Sequence, residues 1–242
     1  MPLVSSLKAK EQGWRILIYG KPGVGKTYLG KFLKGKTFLL SFDKSYTRLK
    51  KTIYQDENSI WNLDSDNVQK DLANFAIWWR DAHKKYDNLI IDNITSLQDL
   101  WFVEKARESK NGLDNQIAHY NEFVNYLIRF MASMLNYDLN ILITAWEAQR
   151  DITIDSGQQI SQYAPSMRDK ARDWLMGHCD IVGRLIQKPS TGERGVILSG
   201  NDGIYAKNRM DSRKGCKVEE LFNFDTADNY DKKVKQSSKS DS

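Results

Sequence analysis

The chain has 242 residues, enough for one sizeable α/β domain or two small ones. It is 40% hydrophobic and 28% charged, the composition of an ordinary globular protein rather than a fibrous or low-complexity one. Net charge is 36 − 31 = +5, a mild basic excess that permits a polyanionic partner without requiring one. Met1–Gly13 lacks an apolar core, so it does not read as a signal peptide. No apolar run approaches the roughly 20 residues that span a bilayer, so no membrane partner is expected. Cys179 and Cys216 lack C-x-x-C spacing and read as reduced cytosolic thiols.

In chain order, residues 1–12 are polar and lysine-bearing and read as a flexible arm. Trp14–Tyr19 is a short, mostly apolar run with the character of a buried strand. It leads into Gly20-Lys21-Pro22-Gly23-Val24-Gly25-Lys26-Thr27, which fits the phosphate-binding pattern G-x-x-x-x-G-K-[ST] at every fixed position. Thr27–Lys34 carries Leu29, Phe32 and Leu33 at helical spacing and is closed by Gly35 as a C-terminal cap. Glycines in such a loop let backbone N–H groups turn inward around phosphate oxygens. Lys26 is expected to reach the β- and γ-phosphates of ATP, and the Thr27 hydroxyl to ligate Mg²⁺. The eight loop residues, with Tyr28 next along, are the candidate nucleotide contacts.

Thr37–Phe42 reads as a second buried strand ending at Asp43, and Ile60–Leu63 as a short third. Asp66 or Asn67 is placed to cap a helix whose apolar stripe is Val68, Leu72, Phe75, Ala76 and Trp79. Asn88–Asp92 runs three aliphatics into a carboxylate, the Walker B pattern, which makes Asp92 the second candidate Mg²⁺ ligand. Helices are expected over about 96–109 and 114–135, then a buried strand over Leu139–Thr144. Buried strands alternating with helices predict a mainly parallel sheet with ligands at the C-terminal ends of its strands. Beyond Thr144 the pattern turns to hairpins, at 152–163 and at 180–198 around Pro189–Gly192, with a short helix over about 166–176 between them. That predicts an antiparallel C-terminal extension of the sheet. Residues 13–225 form one domain in this reading, and 226–242 a disordered polar tail.

Asn93 occupies the position where many oligomeric ATPases carry the glutamate that activates water. A base must therefore come from elsewhere; Asp43 is the first candidate and Glu147 the second. Lys207 and Arg209 form a cationic pair in Tyr205–Arg209. Residues 188–217 hold seven Lys/Arg against three acids, a bias suited to phosphate contact.

Together the loop Gly20–Thr27, the Asn88–Asp92 strand, the late hairpin and Lys207-Asn208-Arg209 resemble phage-encoded nucleotide-binding proteins with a RecA-like core. Some of these act in single-strand annealing and recombination, and the triplet is similar to a Lys-Asn-Arg motif of the RadA branch. The resemblance covers roughly residues 13–222. It implies a RecA-like P-loop NTPase, weakly ATP-hydrolysing, in which Lys207 and Arg209 reach ATP across the interface of a ring or filament. It further implies binding of single-stranded DNA, partnership with a single-strand-binding protein, and location in the cytoplasm, the host's where the chain is phage-encoded. The DNA loops would be 147–155 and 157–172, with Arg150, Arg168, Lys170 and Arg172 as contacts and Tyr163 as a stacking surface. Residues 146–172 balance four basic against four acidic side chains, so a solvated mixed-charge hairpin is the competing reading. Two other functions fit the P-loop: an AAA-type ATP switch or helicase loader, and a small-molecule kinase. Asn93 counts against the loader, and the lack of paired lid arginines against the kinase.

Overall fold

A computed structural model describes residues 13–49, 59–154 and 156–224. The expected arm at 1–12 and polar tail at 226–242 lie outside the described residues. Strand β1 (Arg15–Gly20) is central, because an aliphatic run without polar interruption is stable only where both edges are paired and both faces covered. It pairs in parallel with β5 (Asn140–Thr153), Ile16 opposite Leu142, and with β7 (Ile181–Gln187), Ile18 opposite Gly183. Beyond β5 lie β4 (Asn88–Asp92), β2 (Thr37–Ser41) and β3 (Ile60–Asn62), all parallel. Beyond β7 the sheet turns antiparallel through β8 (Arg194–Ile197) and β10 (Gly215–Lys217); the two-residue β9 (Lys207–Asn208) also pairs with β7. The expected class, a mainly parallel sheet flanked by helices with an antiparallel extension, is the one observed.

Alternation along the strands sorts the core into two faces. Leu17, Tyr19, Phe38, Leu40, Ile91 and Ile143 meet the four α-helices: α1 (Val68–Ala82), α2 (Ile94–Ala106), α3 (Ile117–Leu135) and α4 (Asp169–His178). Val68, Leu72, Phe75 and Trp79 of the predicted stripe are buried, and Trp79 stacks among Phe38, Phe75 and Tyr86. Ile16, Ile18, Leu39, Ile90, Leu142 and Leu185 face the other way, onto Leu29 and onto Val218 and Leu221 of the last segment.

Three elements depart from the sequence reading. The segment after the loop is a 3₁₀ turn, Thr27–Phe32, rather than an α-helix. Gly30 sits at its centre and only Leu29 and Gly30 are buried, too little packing to offset the cost of nucleating a longer helix. Strand β5 does not stop at Thr144. It runs on to Thr153 and folds back on β6 (Gln159–Pro165), Glu147 opposite Pro165 and Thr153 opposite Gln159. Helix α2 begins earlier than expected because Asn93 caps it, its Oδ1 accepting from the Ser96 N–H at 2.8 Å.

Candidate nucleotide-binding site

The loop after β1 owes its shape to its glycines. Gly23 (φ 76°) and Gly25 (φ 102°) take backbone conformations that disfavour any side chain. Gly20 lies so close to β7 that a Cβ there would stand 2.5 Å from the Leu185 carbonyl oxygen. Lys26 is buried, and its ammonium donates to the carbonyls of Gly20 and Lys21, both at 2.9 Å. Burial lowers its pKa from 10.5 to about 8, against the opposing pull of Asp92 and Asp43. Because the following 3₁₀ turn is short, turned backbone amides and this one ammonium supply the anion-binding character, with little from a helix dipole.

Across from the loop, β4 delivers Asp92 to the rim of the sheet, fully buried. Its Oδ2 accepts from the Thr27 hydroxyl at 2.8 Å and from Ser45 at 3.0 Å, and its Oδ1 from Thr144. Burial raises its pKa; the three hydroxyls oppose that shift. Thr27 and Ser45 are themselves 3.1 Å apart. One carboxylate with two hydroxyls is a hard-oxygen donor set suited to Mg²⁺, which keeps several waters and takes its remaining ligands from phosphates. Among the described residues no cluster of three His, Cys, Asp or Glu competes as a metal site.

Both candidate bases lie at this rim with different partners. Asp43 is exposed; it accepts from the Asn93 amide at 2.6 Å and from the Ser45 N–H at 2.9 Å. Asn93 thus holds Asp43 in place while capping α2. Glu147 is buried in a two-pronged ion pair with Arg184 (2.9 and 3.3 Å), whose guanidinium lies 3.5 Å from the Tyr163 ring centroid. Both carboxylates are engaged, Glu147 by a guanidinium and Asp43 by neutral N–H donors alone. Glu147 and Arg184 line a cleft of about 580 Å³ with Lys21, Pro22 and Gly23.

Lys207 and Arg209 are not brought to this rim. Lys207 lies in β9 and Arg209 follows it, and β9 pairs with Ile181 and Val182 at the opposite end of β7 from the loop. The Lys207 ammonium donates to the carbonyls of Met176 (2.6 Å) and Gly177 (3.2 Å), satisfying the C-terminus of α4. Within its own chain Lys207 is thus engaged at the end of α4, while Arg209 is exposed.

The expected DNA contacts Arg150, Arg168, Lys170 and Arg172 all line a second cleft of about 510 Å³ between α3 and the β5–β6 hairpin, with Gln149 and Tyr120. Arg168 lies over the Tyr120 ring at 4.8 Å. Arg150 is tied to Gln162 and Asp173. Arg172 is 6% exposed and paired with Asp169 at 2.7 Å and Asp173 at 3.1 Å within α4. Arg184 covers one face of the half-buried Tyr163 ring.

Ser45, Thr144 and Arg184 escaped the sequence reading. Thr144 carried a usable signal, a hydroxyl closing an aliphatic strand beside the Asp92 strand. Ser45, two residues past Asp43, carried a weaker one, and Arg184 none.

The AAA domain family matches residues 12–210, and the chain belongs to that family. The flagellar accessory protein FlaH from Methanocaldococcus jannaschii is similar in structure at 13% identity, covering 84% of each chain with a TM-score of 0.46. The RadB recombinase is similar at 14% identity, covering 77% of this chain and 80% of its own, with a TM-score of 0.48. No curated protein matches. Among the described residues no helix is long and apolar enough to cross a membrane.

Proposed function

We propose that this member of the AAA domain family binds ATP with Mg²⁺ at Gly20–Tyr28 and Asp92, hydrolyses it slowly, and acts as an oligomeric single-stranded-DNA-binding recombination protein. The observation that carries the nucleotide part is the 2.8 Å contact between Thr27 and Asp92, residues 65 apart in sequence, beside a buried lysine. Lys26 leaves its loop carbonyls for the β- and γ-phosphates, while the loop amides hold the chain of phosphates in line. Mg²⁺ on Thr27 and Asp92 would neutralise charge on the phosphate oxygens. Asp43, oriented by Asn93, takes the proton from the attacking water. No carboxylate directly follows Asp92, and Glu147 is bound to Arg184, which supports slow turnover.

The DNA part rests on the cleft of Gln149, Arg150, Arg168 and Lys170 with the Tyr120 ring, cations and an aromatic surface of the kind that tracks a single strand. Arg209, on the far rim, supplies a cation to the ATP of a neighbouring subunit. The test is fluorescence anisotropy of labelled oligo-dT with ATP and Mg²⁺ across a salt series. Binding is expected to strengthen with ATP and to weaken steeply with salt, with a log–log slope of about −0.7 per phosphate contact. Arg209→Ala is expected to lower turnover about 10²-fold or more while leaving ATP affinity nearly intact. Undetectable or salt-independent DNA binding would remove the DNA reading, and unchanged turnover in Arg209→Ala the role across the interface. A second reading, an ATP switch acting on a protein partner, is favoured by the engaged Glu147 and would show as tight ATP binding without DNA affinity.

A further inference from the structure

Arg194 places a guanidinium against the phosphate-binding loop without an acidic partner. Strand β8 begins there, opposite Gln187, while β7 has already parted from β1 after the Tyr19–Arg184 pair. The register therefore carries Arg194 past the C-terminal rim of the sheet, to the level of the loop. Its side chain is half-buried and crosses Gly25: a Cβ on that glycine would stand 2.6 Å from Nη1 and 2.9 Å from Cζ. On its other side Cζ lies 5.9 Å from the centroid of the Tyr28 ring.

What sets Arg194 apart is what it lacks. Arg15, Arg150, Arg172, Arg184 and Arg213, comparably or more buried, each donate to a carbonyl or pair with a carboxylate. Among the described residues the Arg194 guanidinium has neither a hydrogen bond nor an ion pair, and the neighbouring Glu193 accepts from Thr191 instead. A half-buried guanidinium left without an acidic partner is a cation whose acceptor can arrive with a ligand. The loop beneath it is built for anions.

We propose that Arg194 is a nucleotide-contacting residue acting within its own chain, its planar fork donating to phosphate oxygens of the triphosphate held by Gly20–Thr27. The inference rests on the nucleotide reading above. A guanidinium suits this position because it is permanently charged and meets two oxygens at once, whereas Lys26 is a point charge reaching from inside the loop. Gly25 is then required twice, for its φ of 102° and to leave room for the guanidinium.

The experiment is calorimetric titration of ATP with Mg²⁺ into the full chain, Arg194→Gln, Arg194→Lys and Lys26→Ala, with melting curves of each. Arg194→Gln is expected to weaken ATP about 10-fold, equivalent to about 1.4 kcal/mol, with an unchanged melting temperature. Arg194→Lys should recover part of that loss, since it restores charge but not the fork. GTP should show the same ratio between variant and parent, because the contact is to phosphate and not to the base. Affinity in Arg194→Gln within two-fold of the parent would overturn the inference. So would a loss that tracks a lowered melting temperature and is not relieved in Arg194→Lys, which marks a structural residue. Failure of the parent chain itself to bind ATP is a different result, one that removes the nucleotide reading.

Discussion

Lys26→Met is expected to reduce ATP turnover about 10²–10³-fold, the scale on which one preorganised charge stabilises a transition state. The same substitution should leave the protein folded, and slightly more stable without nucleotide. Both expectations come from one observation. Lys26 is 6% exposed and among the described residues its ammonium is satisfied by two loop carbonyls, and burial has lowered its pKa to about 8. A fall from 10.5 to about 8 corresponds to roughly 3 kcal/mol disfavouring the charged form in the folded chain, an order-of-magnitude figure. The sign follows from proton binding. Below about pH 8 the folded chain holds a charged lysine at a penalty the unfolded chain does not bear. As pH rises from about 8 towards 10.5 that penalty fades, because folding no longer has to carry the charge inward. A neutral methionine of similar length removes the penalty at pH 7 and loses the hydrogen bonds to Gly20 and Lys21, which offset part of the gain. Melting curves at pH 7 and pH 10 test this. The advantage of Lys26→Met over the parent should be largest at pH 7 and shrink at pH 10. A variant that melts well below the parent at pH 7 would mean that the loop needs its lysine to fold. Stability given up for an ammonium poised at the rim is the mark of a residue kept for a ligand.

How much of this was legible beforehand depends on range in the chain. The Asn88–Asp92 strand was read to its ends because a strand paired on both edges is a continuous aliphatic run closed by a polar residue. The loop was legible for the same local reason: its glycines and Lys26 act within eight consecutive residues. What the sequence concealed was strand order. β5 lies between β1 and β4, which sets Thr144 under Asp92, and nothing in residues 139–144 announces which strands it will separate. The continuation of β5 into the hairpin was hidden because residues 145–153 break both strand signals, with no aliphatic run and three consecutive polar residues at Gln149-Arg150-Asp151. Their partner is a single strand outside the main sheet, not a core. Lys207 shows a partner that the sequence did not announce. A cation two residues from a basic partner resembles a phosphate contact in sequence, and the carbonyl ends of α4 lie within its reach. Arg172 likewise has carboxylates at hand, since helical spacing sets Asp169 on its own face and Asp173 beside it. Charge pattern alone does not say whether a cation is already satisfied.

Asp92→Asn is expected to abolish the Mg²⁺ dependence of ATP binding and to lower turnover by about 10²-fold or more. The side chain keeps its shape, and the surrounding hydroxyls of Thr27, Ser45 and Thr144 can rotate to accept from the new amide as well as donate to its oxygen. What disappears is the negative charge. Among the described residues no other carboxylate bonds directly to Thr27, so no second ligand of that charge stands ready there. The effect on stability runs the other way. Burial raises the Asp92 pKa above the ordinary 3.8, so folding favours the protonated acid. The contribution of that proton is fully present below 3.8 and is lost as pH rises through the higher folded value, where the ionised carboxylate must be kept buried. An amide never meets that cost. Measured without Mg²⁺ at pH 8, Asp92→Asn should therefore melt above the parent, by about 2–4 °C for each kcal/mol relieved. The gap should close as pH falls towards 3.8, because the parent then carries a neutral acid in the same hydrogen bonds. Comparing the two proteins at each pH cancels the opposite drift of Asp64, Glu108 and Asp211, whose pKa values are lowered by their own hydrogen bonds. Adding Mg²⁺ with ATP should reverse the order of stability, raising the parent above the variant, since only the parent can turn its buried charge into a metal ligand. An Asp92→Asn protein that melts lower at pH 8 and still responds to Mg²⁺ would place the metal elsewhere and leave the buried carboxylate a structural acid.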